Sequence, residues 1–141
     1  GIFIFKKENH KNVISKANMD YFFPWSPTWG EINYKAYNLP TLDLHNELYG
    51  YLQEKSEKSN EREFEAWLES QSCSKHKSWI KERNGTVLPS YSVTLMTFVR
   101  NHIHHPENIT MQSFPYTLEE LHQSIDEMIR VLKFNNYHII I

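Results

Sequence analysis

The sequence holds a single cysteine, Cys73. An internal disulfide is therefore excluded, and the chain suits a reducing, cytoplasmic compartment. It has no apolar run long enough to span a bilayer, and the opening Ile2-Phe3-Ile4-Phe5 run is too short for a signal sequence. It also lacks an excess of positive charge. Formal net charge is −2, from 15 Lys and Arg against 17 Asp and Glu. No global field draws the chain onto nucleic acid, so such a contact needs a local basic patch. There is no Gly-x4-Gly-Lys-Ser/Thr loop, so this segment does not hold a nucleoside triphosphate by that device. Gly-x-Ser-x-Gly and His-Glu-x-x-His are missing too, and with them the nucleophile elbow and the helical zinc pair. No internal repeat and no low-complexity tract is present. Asn108-Ile109-Thr110 fits the glycosylation pattern, but nothing indicates secretion.

What the sequence does have is aromatic weight. Phe, Trp and Tyr make up 14% of 141 residues, within an apolar share of 40%. That length and mix suit one domain, residues 1–141, with room for a well-packed core. The chain opens on Gly1 rather than Met and enters a strand-like run at once. It reads as a fragment of something longer.

The fold class read from the pattern is mainly α: a helical, bundle-like domain with a small terminal β element. Residues 1–17 and 137–141 are strand-like, with Gly1 to Lys7 and Asn12 to Lys16 as two β-forming runs around a turn at Glu8-Asn9-His10-Lys11. A lone hairpin is marginal, so the two termini are expected to meet in one sheet. Residues 18–40 carry Tyr21, Phe22, Phe23, Trp25, Trp29, Tyr34 and Tyr37 among prolines, without a clear period. They read as a loop pinned by its rings rather than as a base-stacking platform.

The body, residues 41–133, is helical. Thr41 caps a helix through about Lys55, with Leu44, Leu48, Tyr51 and Leu52 inward. A further helix starts near Phe64. Lys75 to Arg83 is expected to be helical, with Trp79 and Ile80 inward and Asn84-Gly85 ending it. Ser92 is the expected cap of a central helix whose apolar face is Leu95, Met96, Val99 and Ile103. A loop of roughly ten residues follows. Thr117 and Glu120 then form a capping box for a last helix, striped by Leu118, Leu121, Ile125, Met128, Ile129 and Leu132.

The central helix runs into Arg100, Asn101, His102, His104 and His105 before Pro106. These groups move protons or hold phosphates near neutral pH. Arg100 and His105 lie about 140° apart on a straight helix and converge only if it opens before the proline. Arg100 and His104, four apart, share a face. The plainer reading pairs Arg100 with an acid of a neighbouring helix and leaves the histidines solvated. His102, His104, His105 and Glu107 also offer metal ligands, but no Cys is near and the helical i, i+4 histidine pair is missing. A second patch, Lys75, Lys77, Trp79 and Lys81, could track a phosphate backbone, although a solvated helix face explains it equally well.

Arg100-Asn101-x3-His105 late in a helical domain resembles the HEPN family. Pro24-Trp25-Ser26-Pro27-Thr28-Trp29-Gly30-Glu31-Ile32-Asn33, His45-Asn46-Glu47-Leu48-Tyr49-Gly50-Tyr51 and the run from Val99 to Asn108 are similar to the C-terminal region of prokaryotic ABC/AAA-type ATPases of anti-phage defence. The resemblance implies a helical domain that dimerises, and in active members a metal-independent ribonuclease without a cofactor. Arg and His would meet across the dimer. Carried onto this chain, Arg100 and His105 would be the catalytic pair and Asn101 their polar support. His102 and His104 crowd the motif and leave the operative histidine open. RNA would be the substrate. A second copy or a partner protein would be the assembly partner, and the membrane plays no part. The other class is a non-catalytic assembly module of such an ATPase.

Overall fold

The computed structural model describes residues 3–8, 11–16 and 20–140. The strand expected at Gly1 and Ile2, the tip of the first turn at Asn9 and His10, and Ile141 lie outside the described residues. Within them the chain is mainly helical. Six helices carry the body, and eight short strands pair into two-stranded ladders.

The two β-forming runs become β1 (Phe3–Glu8) and β2 (Lys11–Lys16), antiparallel with Phe3 opposite Lys16 and Glu8 opposite Lys11. The C-terminal strand, Ile139–Ile140, does not join them. It pairs with β3 (Asp20–Tyr21).

The stretch read as an aromatic loop contains a helix, α1 (Trp29–Tyr37). Thr28 caps it by accepting from the Glu31 backbone N–H, and Asn38 closes it in the left-handed region at φ 53°. Nine residues hold too few turns to display a period, and of the rings of this helix only Tyr34 is buried. Phe22 and Phe23 do enter the core, as the packing reading requires.

α2 (Leu42–Ser56) is capped by Thr41 and buries Leu44, Leu48, Tyr51 and Leu52. α3 (Glu61–Ser70) begins at the Asn60 cap and buries Phe64, Glu65 and Leu68.

The largest departure lies at residues 75–83, which are extended rather than helical. β4 (Lys77–Trp79) pairs with β7 (Tyr91–Val93), and β5 (Glu82–Arg83) pairs with β6 (Thr86–Val87). Asn84 and Gly85, at φ 52° and 78°, form the two-residue turn between β5 and β6. An Asn-Gly pair ends a helix or turns a hairpin equally well, and here the extended partner downstream decides. Trp79 goes inward while Ser78 stays exposed, the two-residue period of a strand. The β content is thus not confined to the termini.

Ser92 belongs to β7, so Thr94 caps α4 (Leu95–His104) instead, accepting from the Thr97 N–H. His105 is the C-cap, and Pro106 lies just beyond the helix end, as the pre-proline effect predicts. The following segment is not all loop, because Ile109–Gln112 forms a short α5 capped by Asn108. α6 (Leu118–Phe134) opens on the expected capping box, Thr117 with Glu120. α2, α4 and α6 pack on one another. Their shared core includes Leu48, Leu52, Met96, Val99, Ile125, Met128 and Leu132, all fully buried.

Candidate functional site

α4 is buried along most of its length and emerges only near its C-terminus. Its apolar face fixes the helix against α2 and α6, so the last turn is presented in one orientation. Four candidate side chains sit there, and they divide between two sides.

Asn101 and His105 line a cavity of about 550 Å³, together with Glu61, Trp79, Lys81, Glu82, Arg83, Glu107 and Asn108. Asn101 is almost wholly buried and donates from Nδ2 to Glu61 Oε1 at 2.8 Å. Tyr91 donates its hydroxyl to the other Glu61 oxygen at 3.0 Å. His105 is exposed, and its Nδ1 lies 3.0 Å from Glu107 Oε1. The Glu107 carboxyl is held below the usual range by its own backbone N–H and by His105. An ionised carboxylate only accepts, so His105 meets it through Nδ1–H. Glu82 is anchored by the Thr110 hydroxyl and by the Thr110 N–H at 2.8 Å, and both contacts lower its pKa.

Arg100 does not line that cavity. Its guanidinium carbon lies over the Tyr49 ring, 4.8 Å from the centroid. His104 is exposed, and its pKa is lowered by partial burial, then by Arg100 and by His105. It therefore feels both the Arg100 side and the His105 side of the helix end.

His102 plays a different part. Its ring is buried, with Nδ1 2.8 Å from the Phe98 carbonyl and Nε2 2.9 and 3.0 Å from the Met111 and Phe114 carbonyls. Trp79, Phe98 and Tyr116 meet it edge to face. It ties the end of α4 to α5.

The basic patch divides in the same way. Lys75 and Lys81 line a second cavity of about 300 Å³, while Lys77 pairs with Glu120 at 2.7 Å and lies over the Phe98 ring. Trp79 is 2% exposed and offers no face for stacking.

Three features were invisible in the sequence. Glu61 reaches the motif from α3, Tyr49 reaches Arg100 from α2, and Glu65 is buried beneath the start of α4. Glu65 accepts from the Thr94 N–H and hydroxyl and from the Thr97 hydroxyl, and burial raises its pKa. The only local signal was that Glu61 and Glu65 open an amphipathic helix, which ordinarily marks a solvated acid. Among the described residues, no three His, Cys, Asp or Glu side chains come together as a metal site. Also among them, no helix is long and apolar enough to cross a membrane. Neither a protein-family model, nor a characterised protein, nor a solved structure matches the chain.

Proposed function

We propose that the chain is a metal-independent endoribonuclease module of HEPN type, the C-terminal helical domain of a prokaryotic defence ATPase. Its centre is the last turn of α4. The observation that carries the reading is the placement of His105. Its Nδ1 lies 3.0 Å from Glu107 Oε1, and the ring stands beside Asn101 at an open cavity. The mutual packing of α2, α4 and α6 supports the helical-bundle architecture this reading expects.

In this reading His105 Nε2 takes the proton of a ribose 2′-hydroxyl, whose oxygen attacks the adjacent phosphorus. The P–O5′ bond breaks, the leaving oxygen takes a proton from water, a 2′,3′-cyclic phosphate remains, and His105 gives its proton back to the solvent hydroxide. Arg100 steadies the charge on the phosphoryl oxygens through its planar fork. Arg100 stands outside the His105 cavity of its own chain, so it is supplied by a second copy. Asn101, fixed by Glu61, orients the helix end. His104 is the alternative proton carrier.

The test is cleavage of mixed RNA by the purified chain, with and without a chelator. Cleavage should persist in chelator and leave cyclic phosphate ends. Arg100→Ala and His105→Ala should each abolish it, with Arg100→Lys rescuing only partly. Loss of activity to the chelator alone would instead indicate a metalloenzyme.

A second reading has its own observation. Trp29 is 81% exposed and Tyr37 66%, with Leu39, Leu42 and Trp25 also exposed. Large apolar side chains left in water around α1 fit an assembly face that joins the chain to a partner. If this is the whole function, the Arg100 and His105 variants leave RNA untouched, while Trp29→Ala weakens association.

A further inference from the structure

The cavity that holds His105 is poorly suited to attract a phosphate. Glu61, Glu82 and Glu107 line it against Lys81 and Arg83. Its carboxylates are engaged by Asn101, Tyr91, Thr110 and His105, but their charges remain. An RNA strand needs its anionic backbone held somewhere else, close by.

The second cavity supplies such a place. It is lined by Arg62, Lys75 and Lys81, together with Tyr91 and Ser92. Its acids are Glu61 and Glu65. Glu65 is buried and takes three hydrogen bonds from Thr94 and Thr97, so it faces the α4 cap rather than a ligand. Arg62 is exposed, and neither it nor Lys81 enters an ion pair among the described residues. Lys81 rests over the Tyr91 ring at 5.4 Å, which holds its stem without neutralising its charge. Lys75 is shared with Glu69 at 3.2 Å, in a half-exposed pair that costs little to break. Both cavities are walled by Glu61 and Lys81, so they adjoin.

Resting on the ribonuclease reading, we propose that the pocket of Arg62, Lys75 and Lys81 is a backbone phosphate subsite that feeds the neighbouring nucleotide to His105. Arg62, at the start of α3, provides the bidentate fork. Lys81 and Lys75 act as point charges, and the Tyr91 ring forms the floor. The division of labour follows from the charges: the flanking phosphate is held in the basic pocket, the sugar and base of the reacting nucleotide enter the acidic one, and its scissile phosphate meets Arg100 of the second copy. The source of the phosphate is a nucleic-acid backbone, because the acid-lined chamber next door rejects a free polyanion while accepting the hydroxyls and amino groups of a nucleoside.

The experiment measures binding without cleavage. A labelled eight-nucleotide single-stranded RNA is titrated against the full chain carrying His105→Ala, by fluorescence anisotropy at several salt concentrations. Adding Arg62→Ala and Lys81→Ala should weaken binding about tenfold or more and flatten the salt slope by roughly 0.7 per lost contact. Adding Lys77→Ala instead should change neither, because Lys77 is engaged with Glu120. Circular dichroism checks that the exposed substitutions leave the fold intact. Unchanged affinity in the double variant, an equal loss in the Lys77 variant, or no RNA binding by the His105→Ala chain would each overturn the subsite. Inorganic phosphate or free nucleotide displacing RNA at equal phosphate concentration would also overturn it, by showing a free-anion site. The two readings fail separately. A wild-type chain that binds RNA through Arg62 and Lys81 without cleaving it keeps the subsite and loses the nuclease.

Discussion

Arg100 is supported by a relay of side chains that crosses the core. Its guanidinium lies on Tyr49, the Tyr49 hydroxyl is 2.8 Å from Thr97 Oγ1, and Thr97 donates to Glu65, which also holds Thr94. A buried carboxylate and a half-buried guanidinium are thus linked through one phenol and one hydroxyl, which fixes the Arg100 stem in a defined place. His45 lies beside this relay. It is wholly buried, stacked along Tyr49, with Nε2 2.7 Å from Ser124 Oγ and Nδ1 without a partner among the described residues. Burial, and then Arg100, lower its pKa from 6.5 to about 3. The consequence for stability has a definite sign. Between these values the unfolded chain binds a proton that the folded chain refuses, so stability is full above about 6.5 and falls as the pH drops. The loss is about 1.4 kcal/mol per pH unit for one whole proton. Denaturant melts of the wild type and of His45→Gln should therefore differ in their response to acid. Between about pH 7 and pH 5, the wild type should lose about 2 kcal/mol more than the variant. Equal losses would show that His45 does not carry the acid sensitivity.

At the scale of elements, the energetics of α6 are open to measurement. Ile125 is fully buried where α6 packs on α2 and α4. Ile125→Ala should cost about 2–5 kcal/mol, the lost transfer energy plus the cavity left behind. A change of under about half a kcal/mol would place Ile125 in a face that relaxes freely, contrary to its burial. This helix was legible because its signals are local: a capping box at Thr117 and Glu120, and an apolar stripe of which Leu121, Ile125, Met128 and Leu132 are buried while Leu118, at the first turn, is exposed. α2 was legible through its Thr41 cap and its stripe of Leu44, Leu48, Tyr51 and Leu52. β4 and β5 were not, because a strand of two or three residues carries no period, and its identity depends on partners at Tyr91–Val93 and Thr86–Val87. The cap of α4 was misplaced by two residues because Ser92 and Thr94 are both good caps, and only the ladder with β4 consumes Ser92. The candidate site shows the same limit. Arg100, Asn101, His104 and His105 stand together in the sequence, so the cluster could be read. That Asn101 and His105 open on one cavity while Arg100 turns to Tyr49 depends on α2 and α3. Glu61 lies 40 residues from the Asn101 it holds.

At the scale of the whole molecule, the separation of Arg100 from the His105 cavity would, on the proposed ribonuclease reading, make oligomeric state part of the chemistry. Within one chain the two groups occupy different sides of the helix end, and His104 feels both. A single-chain nuclease would need Arg100 to leave the Tyr49 ring and swing round α4. A two-chain nuclease leaves each group in place and closes the site by symmetry, because a two-fold axis brings the same surface of each copy to the other. The two arrangements predict opposite results in a mixing experiment. Arg100→Ala and His105→Ala chains are each inactive alone in both cases. When they are mixed and allowed to exchange subunits, the two-chain arrangement rebuilds one intact site in every mixed dimer, with Arg100 from the His105→Ala chain and His105 from the Arg100→Ala chain. RNA cleavage should return on mixing and depend on protein concentration. It should vanish again when both substitutions are placed in the same chain and mixed with either single variant, since no pairing then offers both groups across the interface. Failure of the single variants to complement, with wild-type cleavage intact and mixed dimers demonstrated, would put the complete centre in one chain and require Arg100 to move.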